Sequence, residues 1–282
     1  MILVTGGTGT VGRATVRALK ARGKAFKVGT RDPGKVKASG TRAVELDFER
    51  PDTVARALLG VARVFSLTPA SEQQERHVET LVSAARKAGV KHVVRLSVAG
   101  VDEEDPPAIV RSHAEAERIV CSSGLAWTLL RPTFFAQNFV DHYGVRRDAD
   151  SSVRLPHGQG KAAWVDARDV GEVAAAALAG RGHEGRVYEL TGPEAIDDAQ
   201  ALALLGEALG RRYSYVDVPE DDARQAMLGA GVSASQVESL MELHALIRSG
   251  LAAATASGVR EALGREARSF REYARDLAAG AA

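Results

Sequence analysis

Residues 2–12 of this 282-residue chain read Ile-Leu-Val-Thr-Gly-Gly-Thr-Gly-Thr-Val-Gly, an apolar run that turns through glycines into a helical pattern. Gly7, Gly9 and Gly12 satisfy G-x-G-x-x-G, and Gly6, Gly9 and Gly12 satisfy the related G-x-x-G-x-x-G. Glycine serves three purposes in such a loop: it permits the tight turn, lets the backbone approach a pyrophosphate, and lets the helix pack closely on the strand. The segment Gly6, Thr8, Gly9, Thr10, Val11 and Gly12 is therefore expected to cradle the phosphates of a dinucleotide at the positive end of the helix. The plainer alternative is a structural Gly-rich turn. It fits the context less well, because the loop follows a strand and opens a helix inside a βαβ unit.

The second strand ends at Gly29-Thr-Arg31-Asp32-Pro33, where an acid would receive the adenosine ribose and an arginine would accept a 2′-phosphate. Asp32 also suits the N-cap of a short helix with Pro33 at its first position. Arg31 is therefore read as the phosphate ligand, with Lys35 a second cation on that turn, and NADP(H) is preferred over NAD(H). Asp47, followed by Phe48, closes the third strand where the adenine edge would sit; capping the loop before Pro51 is the competing role for Asp47.

In typical short-chain dehydrogenases a tyrosine gives a carbonyl its proton, and a lysine four residues on lowers the tyrosine's pKa. No Tyr-x-x-x-Lys occurs here: positions four after Tyr143, Tyr188, Tyr213, Tyr215 and Tyr273 are Arg147, Gly192, Asp217, Pro219 and Leu277. Ser97 ends the fifth strand, and His113 and Glu117 stand where the pair would be. Without that pair, interconversion of simple alcohols and ketones lacks its acid, whereas acceptors that become stable anions after hydride addition need less help. His113 is the candidate proton donor, since an imidazole near pKa about 6.5 changes state around neutrality and Glu117 lies one turn away. A surface His/Glu pair without chemistry is the alternative. Four of the 14 aromatic residues, Phe134, Phe135, Phe139 and Tyr143, fall within ten positions. They read either as ordinary core or, with Asn138, His142 and Trp164, as the wall of a pocket for a flat substrate. His157, between Pro156 and Gly158, reads as a loop residue, and the single cysteine, Cys121, as a small helix residue.

These groups need a scaffold, and the chain supplies a regular one. Short β-rich runs at 2–5, 26–29, 43–46, 61–67, 92–97 and 127–130 alternate with helical patterns at 11–21, 51–59, 72–88 and 108–122, which predicts an α/β, doubly wound parallel sheet. Gly23, Gly60, Gly89 and Gly124 each follow a helical pattern, as helix-ending glycines do. After Pro132 the rhythm breaks into an insertion. It resumes with a helix capped near Asp169 and a strand at 186–190; from Asp197 helices dominate, with one strand at 213–218. Residues 1–131 plus 163–191 are read as the dinucleotide-binding domain, and 132–162 plus 192–282 as a smaller, mostly helical substrate lobe. A net charge of +1, from 37 Lys and Arg against 36 Asp and Glu, provides no overall field for nucleic acid or anionic lipid. No run approaches the about 20 apolar residues of a membrane span, no zinc spacing occurs, and no leader precedes the first strand, so a cytoplasmic protein is expected.

Several motifs together resemble one family, the atypical short-chain dehydrogenase/reductases of the NmrA-like group, which includes bacterial quinone and triphenylmethane reductases. They are Thr5-Gly-Gly-Thr-Gly-Thr-Val-Gly12, Thr30-Arg-Asp-Pro33, Ala88-Gly-Val-Lys-His-Val-Val94, His113-x-x-x-Glu117, Leu130-Arg-Pro-Thr-Phe-Phe135 with Asn138, and Trp164-Val-Asp-Ala-Arg-Asp-Val170. The resemblance implies a Rossmann sheet with a small C-terminal lobe. It implies NADP(H) held also by the ends of strands four and five (Leu67, Thr68, Ser97) and by the turn at Pro132 and Phe134. The function expected is NADPH-dependent reduction of a small aromatic or conjugated electrophile such as a quinone, imine, enone or dye, by a monomer or homodimer. The group also contains dinucleotide sensors that turn nothing over, and such a regulator acting through a protein partner is the alternative; an isomerase that keeps its cofactor is a third reading.

Overall fold

The computed structural model describes residues 1–37, 40–69, 71, 73–147 and 149–281. In chain order the elements are β1 (Ile2–Thr5), α1 (Thr10–Ala21), β2 (Phe26–Thr30), α2 (Pro33–Lys37), β3 (Ala43–Glu45), α3 (Pro51–Ala57), β4 (Arg63–Ser66), α4 (Gln74–Lys87), β5 (His92–Leu96), α5 (Ala108–Cys121) and β6 (Ala126–Pro132). There follow α6 (Asn138–Asp141), β7 (Ser151–Leu155), β8 (Lys161–Ala162), α7 (Ala167–Ala179), β9 (Arg186–Leu190), β10 (Ile196–Asp197), α8 (Asp198–Leu209) and β11 (Tyr213–Asp217). The chain ends with α9 (Glu220–Gly229), α10 (Ala234–Arg248), α11 (Gly258–Leu263) and α12 (Phe270–Ala278). Two compact units result: 1–132, 167–190 and 258–265 form the first, and 133–166, 191–257 and 266–282 the second. The sequence reading keeps all of 192–282 in one lobe, whereas 258–265 lies with the first unit.

The first unit is the doubly wound sheet, with seven strands in the order β3-β2-β1-β4-β5-β6-β9. All its pairings are parallel, with Val4 opposite both Val28 and Phe65. The order reverses between β1 and β4, and a ligand of such a sheet sits at the carboxyl ends of the strands flanking that point. One layer is built by α3, α4 and α5, where Leu3, Val64 and Val93 meet Val54, Leu58, Leu81 and Ala116, all sealed from solvent. Burying a side chain of that size contributes about 1.5–3 kcal/mol, which is why the near-continuous apolar strand runs were legible. On α7, the Cβ of any residue replacing Gly171 would come within 2.6 Å of the Ala14 backbone of α1. These two helices therefore touch backbone to backbone.

The second unit is built on a core of Phe139, Trp164, Phe270 and Tyr273 with Leu202, Leu205 and Ile247. Phe139 is met edge-on by Tyr143, Trp164 and Phe270, with centroids 5.0–5.5 Å apart, a favoured aromatic geometry. Two small sheets complete it, β7 with β11 in parallel and β8 with β10 antiparallel. The strand at 151–155 lies in the stretch that shows no periodicity in sequence; its fellow at 213–217 is the one the pattern predicts. Helices α8 and α12 start with reciprocal capping boxes, Asp197 with Gln200 and Ser269 with Glu272. Asp169 does not cap its helix. Helix α7 starts two residues earlier, and the buried Asp169 carboxylate, within its first turn, takes a hydrogen bond from Arg265 Nη2 at 2.6 Å.

Candidate functional site

The glycine loop has the geometry its spacing demands. Gly6 has φ +61°, a left-handed conformation natural to glycine. A Cβ on Gly12 would stand 2.0 Å from the Gly6 carbonyl oxygen, so only glycine permits the crossing of loop and helix. Gly9 caps α1 without a side-chain hydrogen bond, and no acid occupies the first turn. The positive helix end is therefore left to an outside anion. Thr8, Thr10 and Val11 lie on this loop and first turn. Thr5 locks the loop to β4, since its hydroxyl lies 3.0 and 2.8 Å from the carbonyls of Phe65 and Leu67 and 2.8 Å from the Leu67 amide.

At the end of β2, Arg31 is exposed and makes no ion pair or hydrogen bond among the described residues. Asp32 is committed to the turn, where Oδ1 accepts from the Gly34 amide at 3.1 Å. The Lys35 side chain lies outside the described residues. Asp47 likewise turns inward on its own loop, accepting from the Glu49 amide at 3.1 Å. Phe48 stacks on the ring of His77 at 5.2 Å, and His77 Nε2 lies 2.7 Å from Glu49. His77 is a residue the sequence reading missed; its helical position gives no hint that it meets Phe48.

A second group collects along the ends of β4 and β5. Arg95 is 1% exposed. Its Nη1 donates to Thr68 Oγ1 at 2.8 Å and to the Ser66 carbonyl at 3.3 Å, and no described carboxylate bonds to it. Burial lowers its pKa to about 10, which leaves it a cation at neutral pH. Arg95 Nε and Nη2, Ser66 Oγ, Ser97 Oγ and His113 Nδ1 are all sealed from solvent with no partner among the described residues. Buried polar groups are normally paired; with Gln74 Nε2, His77 Nδ1 and His92 Nδ1 these make eight sealed, unpaired side-chain atoms in the first unit, five of them on the residues grouped around Arg95. Leu67 packs its side chain over Gly6 beside them, and Pro132 ends β6, whose carbonyl accepts from the Ala99 amide at 2.9 Å.

His113 differs from its sequence reading in one respect. Burial, and then the charge of Arg95, push it down to about 3, so its imidazole is neutral through the physiological range instead of titrating there. Glu117 does not support it. That carboxylate is clasped by Arg131, with Nε at 3.0 Å and Nη2 at 2.7 Å. Arg131 also reaches Asp102 and Glu189.

The residues named for a substrate wall all lie in the second unit and differ in access. Phe139 and Trp164 are buried core, at 0% and 2% exposure. Phe134 and Phe135 are half-buried, with Phe134 edge-on to Trp164 at 5.9 Å. Half-buried Asn138 hydrogen-bonds Tyr143, and His142 is exposed at the end of α6. His157 lies in the loop after β7, as its sequence position suggests, and is fully buried there.

The chain belongs to the NAD(P)H-binding family, whose model matches residues 6–181, and it is an oxidoreductase of NmrA-like architecture. It is 39% identical to the NAD(P)H azoreductase of Xenophilus azovorans over 99% of this chain and 98% of that one. It is 37% identical to the (4-alkanoyl-5-oxo-2,5-dihydrofuran-3-yl)methyl phosphate reductase of Streptomyces griseus over 99% and 98%. Its fold matches the NADPH-dependent quinone oxidoreductase of Escherichia coli, solved with NADPH, at a TM-score of 0.84 and 24% identity, covering 98% and 99% of the two chains. Among the described residues no helix is long and apolar enough to cross a membrane.

Proposed function

We propose that this oxidoreductase uses NADPH to reduce a small, conjugated, electrophilic organic molecule, such as a quinone, azo compound, enone or iminium. The observation that carries the reading is the set of sealed, unpaired polar atoms on Ser66, Arg95, Ser97 and His113, in the same unit as a glycine loop open to an anion. The loop Gly6–Gly12 holds the pyrophosphate through backbone N–H groups. Arg31 takes the 2′-phosphate, with Lys35 beside it, and this selects NADPH over NADH. Phe48 and Asp47 border the adenine; Leu67, Thr68, Ser97 and Pro132, on the same unit, line the rest of the cofactor. NADPH, when bound, supplies the hydride.

The protein's own part is electrostatic. Hydride addition to such an acceptor leaves an anion, and a buried guanidinium with two uncommitted donors stabilises developing negative charge. His113 acts as a neutral N–H donor toward that anion, a role suited to an imidazole whose pKa has been driven down; the final proton comes from solvent. A Tyr/Lys pair is unnecessary for this chemistry. Phe134, Phe135 and Asn138 are the substrate-recognising residues of the second unit, with Phe139 and Trp164 holding them from behind and His142 at the rim. Initial rates of NADPH and NADH oxidation with a panel of quinones, azo dyes, enones and imines test the reading. Oxidation with at least one class, faster with NADPH, is expected; no turnover above background across the panel overturns it.

A further inference from the structure

Arg131, next to last in β6, is bonded to three carboxylates at once. Its Nε donates to Glu117 Oε1 at 3.0 Å and its Nη2 to Glu117 Oε2 at 2.7 Å, so both oxygens of that carboxylate are taken. Nη1 donates to Asp102 Oδ2 and to Glu189 Oε1, and Nη2 also to Asp102 Oδ1 at 3.3 Å. A guanidinium has five N–H groups, and these five bonds leave Arg131 none with which to meet a ligand. The side chains of Asp102 and Glu189 are 80% and 41% exposed, that of Glu117 7%. Water can solvate the first two acids. Only Glu117 depends on the arginine.

Glu117 has other cations within its reach. It follows His113 by four residues on α5, so the two side chains share a face of that helix. Burial lowers Arg95 to about 10 and the Glu117 charge works against that, so the carboxylate acts electrostatically on a guanidinium to which it makes no hydrogen bond. Arg95 Nε and Nη2 and His113 Nδ1 meanwhile stay sealed and unpaired among the described residues. Opposite charges buried in reach of one another ordinarily join, through bonds stronger than neutral ones. Here the carboxylate is drawn the other way, by a two-pronged grip that a planar guanidinium suits and a lysine could not reproduce. No other group on this stretch of α5 competes for it: burial pushes the Cys121 thiol up, which keeps it neutral, and Glu115 pairs with Arg118 on the exposed side.

We propose that Arg131 is a positioning residue of the reductase site, holding Glu117 away from Arg95 and His113 so that their donors stay free for what binds there. The proposal rests on the reductase reading, in which those donors meet the anion left by hydride addition. Released, the Glu117 side chain can turn to the unpaired N–H groups of Arg95 or to His113 one helical turn back. A guanidinium already bonded to a carboxylate has less to offer a developing negative charge. The nearby carboxylate also favours a protonated imidazole, so His113 would no longer be held neutral. All the residues concerned lie in the first unit.

The full-length wild type, Arg131→Met and Arg131→Met/Glu117→Gln are compared by His113 ring resonances from pH 7 to 4 and by initial rates with NADPH and the wild type's best acceptor. In the wild type the ring should stay neutral, since it titrates at about 3. In Arg131→Met the freed carboxylate should raise that value by about one to three pH units. Its kcat should fall about ten- to a hundredfold, as for loss of a charge-stabilising donor, with KM changed less. The double variant has no carboxylate to release, so His113 should titrate as in the wild type and most of kcat should return. A clasp that merely held the fold together would leave the double variant no faster than the single one. An unmoved His113 in Arg131→Met, or a double variant as slow as the single, overturns the proposal. Replacing both members of a buried pair is tolerated better than losing one, so if Arg131→Met does not fold the double variant decides: wild-type-like titration and turnover support the proposal, and lost turnover overturns it. A wild type that oxidises no NADPH overturns the reductase reading, and the His113 titrations still show whether Arg131 restrains Glu117.

Discussion

Arg95 Nη1 donates to Thr68 Oγ1 at 2.8 Å, from a guanidinium that is sealed from solvent and bonded to no described carboxylate. A buried cation without an ion-pair partner is costly, so its position at the strand ends is the strongest single sign of function in the first unit. Arg95→Met should lower kcat/KM for the best acceptor by about ten- to a hundredfold, at the low end of what a lost charge-stabilising donor costs or just below it. Because the Arg95 charge holds His113 down, the same variant should also raise the His113 pKa, read from its imidazole resonance. Unchanged rates together with an unchanged His113 titration would remove Arg95 from the mechanism.

Gly12→Ala places a methyl group 2.0 Å from the Gly6 oxygen, a contact that backbone cannot relieve without moving the loop. Dinucleotide binding, followed by nicotinamide fluorescence, should be lost. Arg31→Ala should act more narrowly. The lost charged hydrogen bonds are worth about 1.5–3 kcal/mol each, so affinity for NADPH should fall roughly ten- to a hundredfold while that for NADH stays put. Equal weakening of both would argue against Arg31 as the 2′-phosphate ligand.

Three histidines make stability sensitive to mild acid. Burial lowers His92 and His244 to about 4 and His113 to about 3, each below the ordinary value of 6.5. Between pH 6.5 and 4 the unfolded chain binds protons that the native one refuses, so stability rises with pH in that window and is lost as pH falls through it. Each group contributes up to about 1.4 kcal/mol per pH unit. Urea midpoints measured from pH 7 to 4.5 should decline, and less steeply in His92→Asn. A flat profile would contradict the burial of these rings.

The Arg131–Glu117 clasp is a buried ion pair, with side-chain exposures of 11% and 7%. Breaking one side of an isolated buried pair costs about 3–5 kcal/mol, and because Arg131 keeps Asp102 and Glu189 the loss here is about 2–3 kcal/mol. Glu117→Gln should lower the unfolding free energy by about that amount, and Glu115→Gln, on an exposed pair with Arg118, by under about 1 kcal/mol. Similar losses in the two variants would mean that the clasp is not buried as described.

Much of the first unit can be read directly from sequence, because its signals are local. Apolar strand runs, helix-ending glycines and the Gly6–Gly12 loop each declare themselves within a dozen residues. The second unit depends on distant partners. His157 looks like a loop residue between Pro156 and Gly158, and only folding brings it to Asp198, 41 positions away, and His244, 87 away. Strand β7 is polar and short, and gains its identity only from pairing with β11. Arg95 escapes notice for another reason: a cation in His-Val-Val-Arg-Leu-Ser looks like the solvent side of a strand, until both faces of the sheet prove to be covered.

The first unit is assembled from three stretches of chain, the last of them α11, which packs on α7 and β9. On a ribosome this sets a schedule. The sheet's edge at β6 stays unpaired until residue 190 has emerged, and Arg265 meets Asp169 and Glu172 only some hundred residues after those acids are made. A nascent chain must therefore keep an open strand edge away from its neighbours while residues 133–190 are made, and a premature stop before residue 258 leaves the nucleotide-binding half itself unfinished.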